Sequence, residues 1–189
     1  MVSRILPGLA GALTLAVAGM AVAQEEMSTN RVATQTDWTV FVEDDPLACW
    51  GVAGPETWRA TRGGSDVTDD VRRGEIQLFT SFHPAEDIAG QVSFTGGYPF
   101  STETPITMVI GDDRFRLYTD EDDPDTPVNE QEWAWAASAE EDAEIAAAMR
   151  RGVDAVITAE STRGTTTEDT FSLMGYTAAV EEAEARCAE

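Results

Sequence analysis

The chain has 189 residues and a formal net charge of -23, with 35 acidic side chains against 12 basic ones, every one of them arginine. So negative a surface opposes nucleic acid and anionic lipid headgroups, which proteins bind largely by neutralising phosphates with Lys and Arg. The lack of lysine removes phosphate-cradling P-loops and Schiff-base chemistry.

The chain opens with Arg4, an apolar run from Leu9 through Val22 broken only by Thr14 and small residues, and Ala21-Val22-Ala23 ahead of Gln24-Glu25-Glu26. A positive start, an apolar middle and small residues at the -3 and -1 positions are what the export channel and signal peptidase read. Residues 1–23 are therefore predicted to be a secretory signal peptide. A membrane-spanning helix needs about 20 apolar residues, more than this run offers, and no later stretch reaches that length. No cysteine follows the cleavage point to take a lipid. The mature chain is expected to be soluble, in the periplasm or at the cell surface. It is long enough for one domain, placed at 37–189, after a polar stretch at 24–36 expected to be a flexible arm.

Order is expected from Asp37. Trp38, Val40 and Val42 alternate onto one face of a strand over 38–42, which Glu43-Asp44-Asp45-Pro46 ends. A second strand is read at 49–53, followed by Gly54-Pro55 and Arg62-Gly63-Gly64 turns around an ill-defined connection. Strands at 75–82 and 91–95 end at Pro84 and Gly96-Gly97. Residues 106–110 and 115–118 form a hairpin through Gly111-Asp112-Asp113. Ser138 and Glu141 fit a capping box and Gly152 a helix end, so a helix lies between them, with Ile145 and Met149 facing the core. Strands at 153–158 and 167–173 precede a last helix over about 177–186. Many short strands with frequent turns and two late helices predict a mainly β chain, an antiparallel β-sandwich of immunoglobulin-like type, with a closed β-barrel as the alternative.

Cys49 and Cys187 are the two cysteines. In an oxidising compartment a disulfide is the expected outcome, and neither has a His or Lys beside it in sequence to activate a thiol. The single histidine, His83, could face Ser81 on a strand, but Ser81 has no Gly-x-Ser-x-Gly context and no third partner. His83 is read as a structural strand-end residue, and no catalytic, cofactor-binding or metal-binding residue is assigned. The loop around Asp120-Glu121-Asp122-Asp123-Pro124-Asp125 is acidic, but lacks the ligand spacing of an EF-hand and is read as solvated. Tyr98, Phe100, Trp133 and Trp135 invite a carbohydrate or peptide ligand, yet aromatic residues in a small sandwich more often pack the core.

The segments Asp37-Trp38-Thr39-Val40-Phe41-Val42, Cys49-Trp50, Gly96-Gly97-Tyr98-Pro99-Phe100, Glu132-Trp133-Ala134-Trp135 and Phe171-Ser172-Leu173-Met174-Gly175-Tyr176-Thr177-Ala178-Ala179 together form a pattern. In it the chain resembles the invasion-associated locus B family of alphaproteobacterial exported proteins. The resemblance covers nearly the whole mature chain and implies a periplasmic or surface β-sandwich; pathogenic members are associated with host-cell entry. Val42 stands where many members carry a cysteine. The family supplies no catalytic residues to carry over.

Export, the sandwich pattern and the lack of a nucleophile-base set together point to a non-enzymatic binding or envelope-interaction protein, acting on an unidentified protein or envelope partner. The alternative is a periplasmic hydrolase using carboxylates.

Overall fold

A computed structural model describes residues 30–121 and 129–188. Along the chain the strands are β1 (Arg31–Gln35), β2 (Trp38–Asp44), β3 (Leu47–Ala53), β4 (Thr57–Arg62), β5 (Ser65–Asp66), β6 (Gln77–His83), β7 (Ile88–Thr95), β8 (Ile106–Ile110), β9 (Asp113–Leu117), β10 (Trp133–Trp135), β11 (Asp154–Glu160) and β12 (Thr166–Ser172). Helix α1 (Ala139–Arg151) separates β10 from β11, and α2 (Tyr176–Cys187) closes the described chain. The strands form two six-stranded antiparallel sheets, ordered β1-β2-β3-β6-β7-β10 and β5-β4-β12-β11-β8-β9. Neither sheet closes on itself, so the architecture is a sandwich and not a barrel.

The core follows from period-2 alternation on facing strands. Trp38, Val40 and Val42 of β2, with Leu78, Thr80 and Phe82 of β6, are buried on one sheet; Ala155, Ile157 and Ala159 of β11 are buried on the other. Phe94 of β7 and Phe171 of β12 meet edge to face across the gap, with centroids 6.0 Å apart. The opposite face of the first sheet carries half-buried aromatics: Phe41 stacks on Trp50 at 5.7 Å, and Trp133 on Trp135 at 6.5 Å.

Helix α1 begins at Ser138, whose hydroxyl accepts from the Glu141 amide at 3.3 Å. The Glu141 carboxylate reaches back to the Ala137 amide at 3.1 Å, one residue before the cap. Ile145 and Met149 are buried, each 1% exposed. Gly152 ends the helix with an ordinary negative φ. It has to be glycine for steric reasons, since a Cβ there would collide with Ile110 Cγ2 and stand 2.8 Å from Leu173 Cδ1. Beyond the reach of short β10, the Asp142 carboxylate takes the Val92 amide at 2.8 Å, so α1 satisfies an edge that the sheet leaves open.

Helix α2 lies against β2 and β3 through small residues. Ala179 Cβ sits 3.6 Å from where a Cβ on Gly51 would stand, and the Tyr176 ring meets Trp38 edge to face at 4.9 Å. Its last residue, Cys187, is joined to Cys49 of β3 by a disulfide, Sγ–Sγ 2.10 Å.

Two features differ from the sequence expectation. Within the stretch read as a flexible arm, residues 31–35 form β1, which pairs with β2 around a tight turn where Thr36 has φ +56°. The ill-defined connection after residue 54 contains β4 and β5. Strand β4 carries no strand signature in the sequence because its one fully buried residue is Ala60, a weak strand former, while Arg59 and Thr57 point to solvent. Helix α2, read at about 177–186, starts at Tyr176 and buries Tyr176, Ala179, Val180 and Ala183. Close backbone approach at Gly51 does what bulk would otherwise do.

Candidate functional site

At one end of the sandwich the inner face of β12 turns polar. Thr165, Thr167 and Asp169 alternate inward and are buried, where a core strand would carry apolar side chains. Opposite them on β4 stand Trp58, Ala60 and, at the strand end, Arg62, since Asp169 pairs with Trp58 and Thr167 with Ala60. Buried polar groups persist only when partnered, and each of these is.

Arg73 enters from the segment after the 3-10 turn Thr68–Asp70 and binds Asp169 in bidentate fashion, Nη1 to Oδ1 at 2.6 Å and Nη2 to Oδ2 at 2.8 Å. Its Nε donates to the Gly96 carbonyl at 2.8 Å. The guanidinium carbon stands 5.1 Å from the centroid of the Trp58 ring and equally far from that of Tyr98, so the cation is held between two aromatic faces. The Arg73 side chain is 4% exposed and that of Asp169 is fully buried. Burial pushes the Asp169 carboxyl up from the ordinary carboxylate range, while the hydrogen bonds and charge of Arg73 act the other way. The Tyr98 hydroxyl shares a 2.6 Å hydrogen bond with the Thr167 hydroxyl. Burial above all pushes this phenol up to about 12, which keeps it neutral at ordinary pH.

Above this base three turns are tied together by backbone hydrogen bonds. The Gly74 amide donates to the Gly97 carbonyl at 2.9 Å, and the Thr162 amide to that of Pro99 at 3.1 Å. Gly97 has φ +69°, and a Cβ on it would come within 2.5 Å of Gly74 backbone, so the turn admits only glycine. The turns enclose a cleft of about 440 Å³. Arg62, Arg72, Arg73 and Arg163 line it, with the carboxylates of Asp70 and Glu132 and the hydroxyl-bearing Ser161, Thr162, Thr165 and Thr167. Arg62 is aimed by Thr165, whose hydroxyl accepts from Nε at 2.9 Å and from Nη2 at 2.6 Å.

Of the residues weighed in the sequence, one reaches the cleft. His83 ends β6, does not line the cleft, and its ring makes no hydrogen bond with Ser81 or any other described residue. Of the four singled-out aromatics, Tyr98 walls the cleft. Phe100 is core, stacked on Phe94 at 5.6 Å, and Trp133 and Trp135 lie on the outer face of the first sheet. Most of the acidic loop, at 122–128, lies outside the described residues. Among the described residues no group of three or more His, Cys, Asp and Glu is placed to hold a metal ion. The signal for the cleft in the sequence is the alternation of Thr165, Thr167 and Asp169 in a strand-forming stretch, together with arginines at 62, 72, 73 and 163, and nothing local joins the two.

The cleft offers fixed positive charge, neutral hydroxyl donors and an aromatic wall. It contains no cysteine or histidine, and its one buried serine, Ser161, accepts turn amides of Arg163 and Thr165 at 3.3 and 3.1 Å. That equipment suits recognition.

No family model matches the sequence, and no curated protein is similar to it. Among solved structures, the fold is similar to that of invasion associated protein B from Bartonella henselae, with a TM-score of 0.52 over 83% of this chain and 98% of that one, at 13% sequence identity. The likeness is one of fold.

Proposed function

We propose that this chain is an exported, non-enzymatic binding protein of the periplasm or cell surface, recognising an envelope component in the arginine-lined cleft. The observation that carries the reading is the cleft's composition: arginines gathered over a buried, fully partnered base, with no nucleophile-base pair among its lining residues. Export is supported by the leader-like 1–23, by the Cys49–Cys187 disulfide, which belongs to oxidising compartments, and by a fold like that of an invasion-associated protein. No described helix is long and apolar enough to cross a membrane.

The test immobilises the mature protein, passes a periplasmic extract over it and identifies retained components by mass spectrometry. Wild type is expected to hold at least one component that the Arg72→Gln/Arg163→Gln double variant does not. Identical retention by the two proteins would overturn the reading. So would hydrolytic turnover abolished by Asp70→Asn or Glu132→Gln, which would establish the carboxylate-dependent hydrolase instead.

A further inference from the structure

The geometry points to a small, multiply charged oxyanion, bearing two or more carboxylate or phosphate groups, as the ligand of the arginine-lined cleft. This rests on the reading of the cleft as the binding surface and adds the ligand's chemistry.

Charge distribution is the first ground. In the whole chain acids outnumber bases 35 to 12, yet four arginines and only two carboxylates line this cleft. Outside the cleft three arginines pair with acids, in Arg59–Glu168, Arg151–Asp113 and Arg186–Glu182, and these pairs lie on the surface. Within the cleft only Arg73 has a carboxylate partner. Arg62 is held by a hydroxyl, and the guanidinium groups of Arg72 and Arg163 make no hydrogen bond or ion pair with any described residue. A guanidinium cannot shed its proton in a protein, so these three charges outnumber the two lining carboxylates, Asp70 and Glu132, neither of which is paired with them, and an anion between the arginines relieves their repulsion.

Donor geometry is the second ground. The guanidinium fork matches the paired oxygens of a carboxylate or phosphate. Thr165 occupies the Nε edge of Arg62, which leaves the Nη1–Nη2 edge free to take such a pair end-on. Arg62 ends β4, Arg72 lies in the segment after the 3-10 turn Thr68–Asp70 and Arg163 in the turn between β11 and β12, so a ligand meeting all three elements is best served by more than one anionic group.

Size follows from the same charges. The net charge of -23 would repel a long polyanion that ran out of the cleft onto the surrounding surface. A compact anion escapes this, because at physiological ionic strength charges beyond about 8 Å are largely screened and the local arginines dominate. A volume of about 440 Å³ falls in the range typical of small-molecule sites.

The experiment titrates the mature protein calorimetrically, at physiological ionic strength, with citrate and with pyrophosphate. At least one is expected to bind, with citrate preference marking a carboxylate ligand and pyrophosphate preference a phosphate one. Arg72→Gln and Arg163→Gln should each weaken binding about tenfold or more, the loss expected of a charge-assisted hydrogen bond. Both side chains are exposed, so folding should be intact, which unchanged unfolding midpoints will verify. Arg114→Gln on β9, at the opposite edge of that sheet, should leave affinity unchanged. Failure of both anions to bind, or binding that survives both cleft substitutions, overturns the inference. Should both anions fail while the double variant still loses its periplasmic component, the ligand chemistry falls and the cleft remains the binding surface.

Discussion

Removing one member of a buried ion pair costs far more than the pair contributes, because the survivor is left charged in a medium that cannot solvate it. Arg73 and Asp169 are such a pair, and the cleft is built over them. Asp169→Ala is expected to destabilise the fold by about 3–5 kcal/mol, measured by urea unfolding. Arg73→Met combined with Asp169→Leu should recover part of that loss, since it removes both charges. Asp142 gives a second test at this scale. Its carboxyl is pushed up by burial above all, with the Val92 amide opposing and the neighbouring Glu141 charge adding to the rise. A carboxyl whose folded value exceeds its unfolded one favours the fold while protonated, below the unfolded value, and loses that contribution as pH rises through the folded value. Asp142→Asn keeps an oxygen for the Val92 amide and cannot ionise. Its unfolding midpoint should therefore gain on wild type as pH rises from the unfolded value, about 4, through the raised folded one, then hold a constant difference. A difference that does not vary with pH would show that burial has not shifted this group.

Among the elements, α2 has two attachments of different kinds. At its start Tyr176 is buried against Trp38 and its hydroxyl meets the Thr80 hydroxyl at 3.2 Å, while at its end the Cys49–Cys187 bridge is covalent. The bridge closes a loop of 138 residues, for which chain entropy sets an upper contribution of about 5 kcal/mol, and measured values often fall below it. Cys187→Ser should lower the unfolding midpoint. Because Tyr176, Ala179, Val180 and Ala183 pack independently of the bridge, only the last turn should lose amide protection in hydrogen exchange. Loss of protection back to Tyr176 would mean that packing at Gly51 cannot hold the helix alone.

For the whole molecule, the sandwich and the address are separate matters. The two sheets fold around their own aromatic and aliphatic interior. The leader pattern at Ala21-Val22-Ala23 predicts that protein recovered from the periplasm begins at Gln24, which intact-mass measurement decides. The acidic surface acts at this scale too. A field of this sign opposes approach of other polyanions at long range, while short screening lengths limit its reach into a cleft lined by arginines.

Strand period, turn residues and caps are local properties. The sequence alone therefore sufficed for β2, β3, β8 and β11, for the Ser138 start of α1, and for the sandwich class. Two cysteines allow one pairing within a chain, so Cys49 and Cys187 needed no geometry to be matched. Strand β4 was not legible because a strand whose one fully buried side chain is Ala60 is recognised only by the neighbour it pairs with, β12. Gly152 read correctly as a helix end, but its crowding by Ile110 and Leu173 comes from elements more than 20 residues apart in sequence. The cleft is the extreme case. Arg62, Arg73, Tyr98 and Asp169 span more than 100 positions, and each alone reads as an ordinary surface or turn residue. Sheet pairing between β4 and β12 and the contact of Gly74 with Gly97 bring them together, because a binding surface is a property of proximity in space that no single stretch of chain encodes.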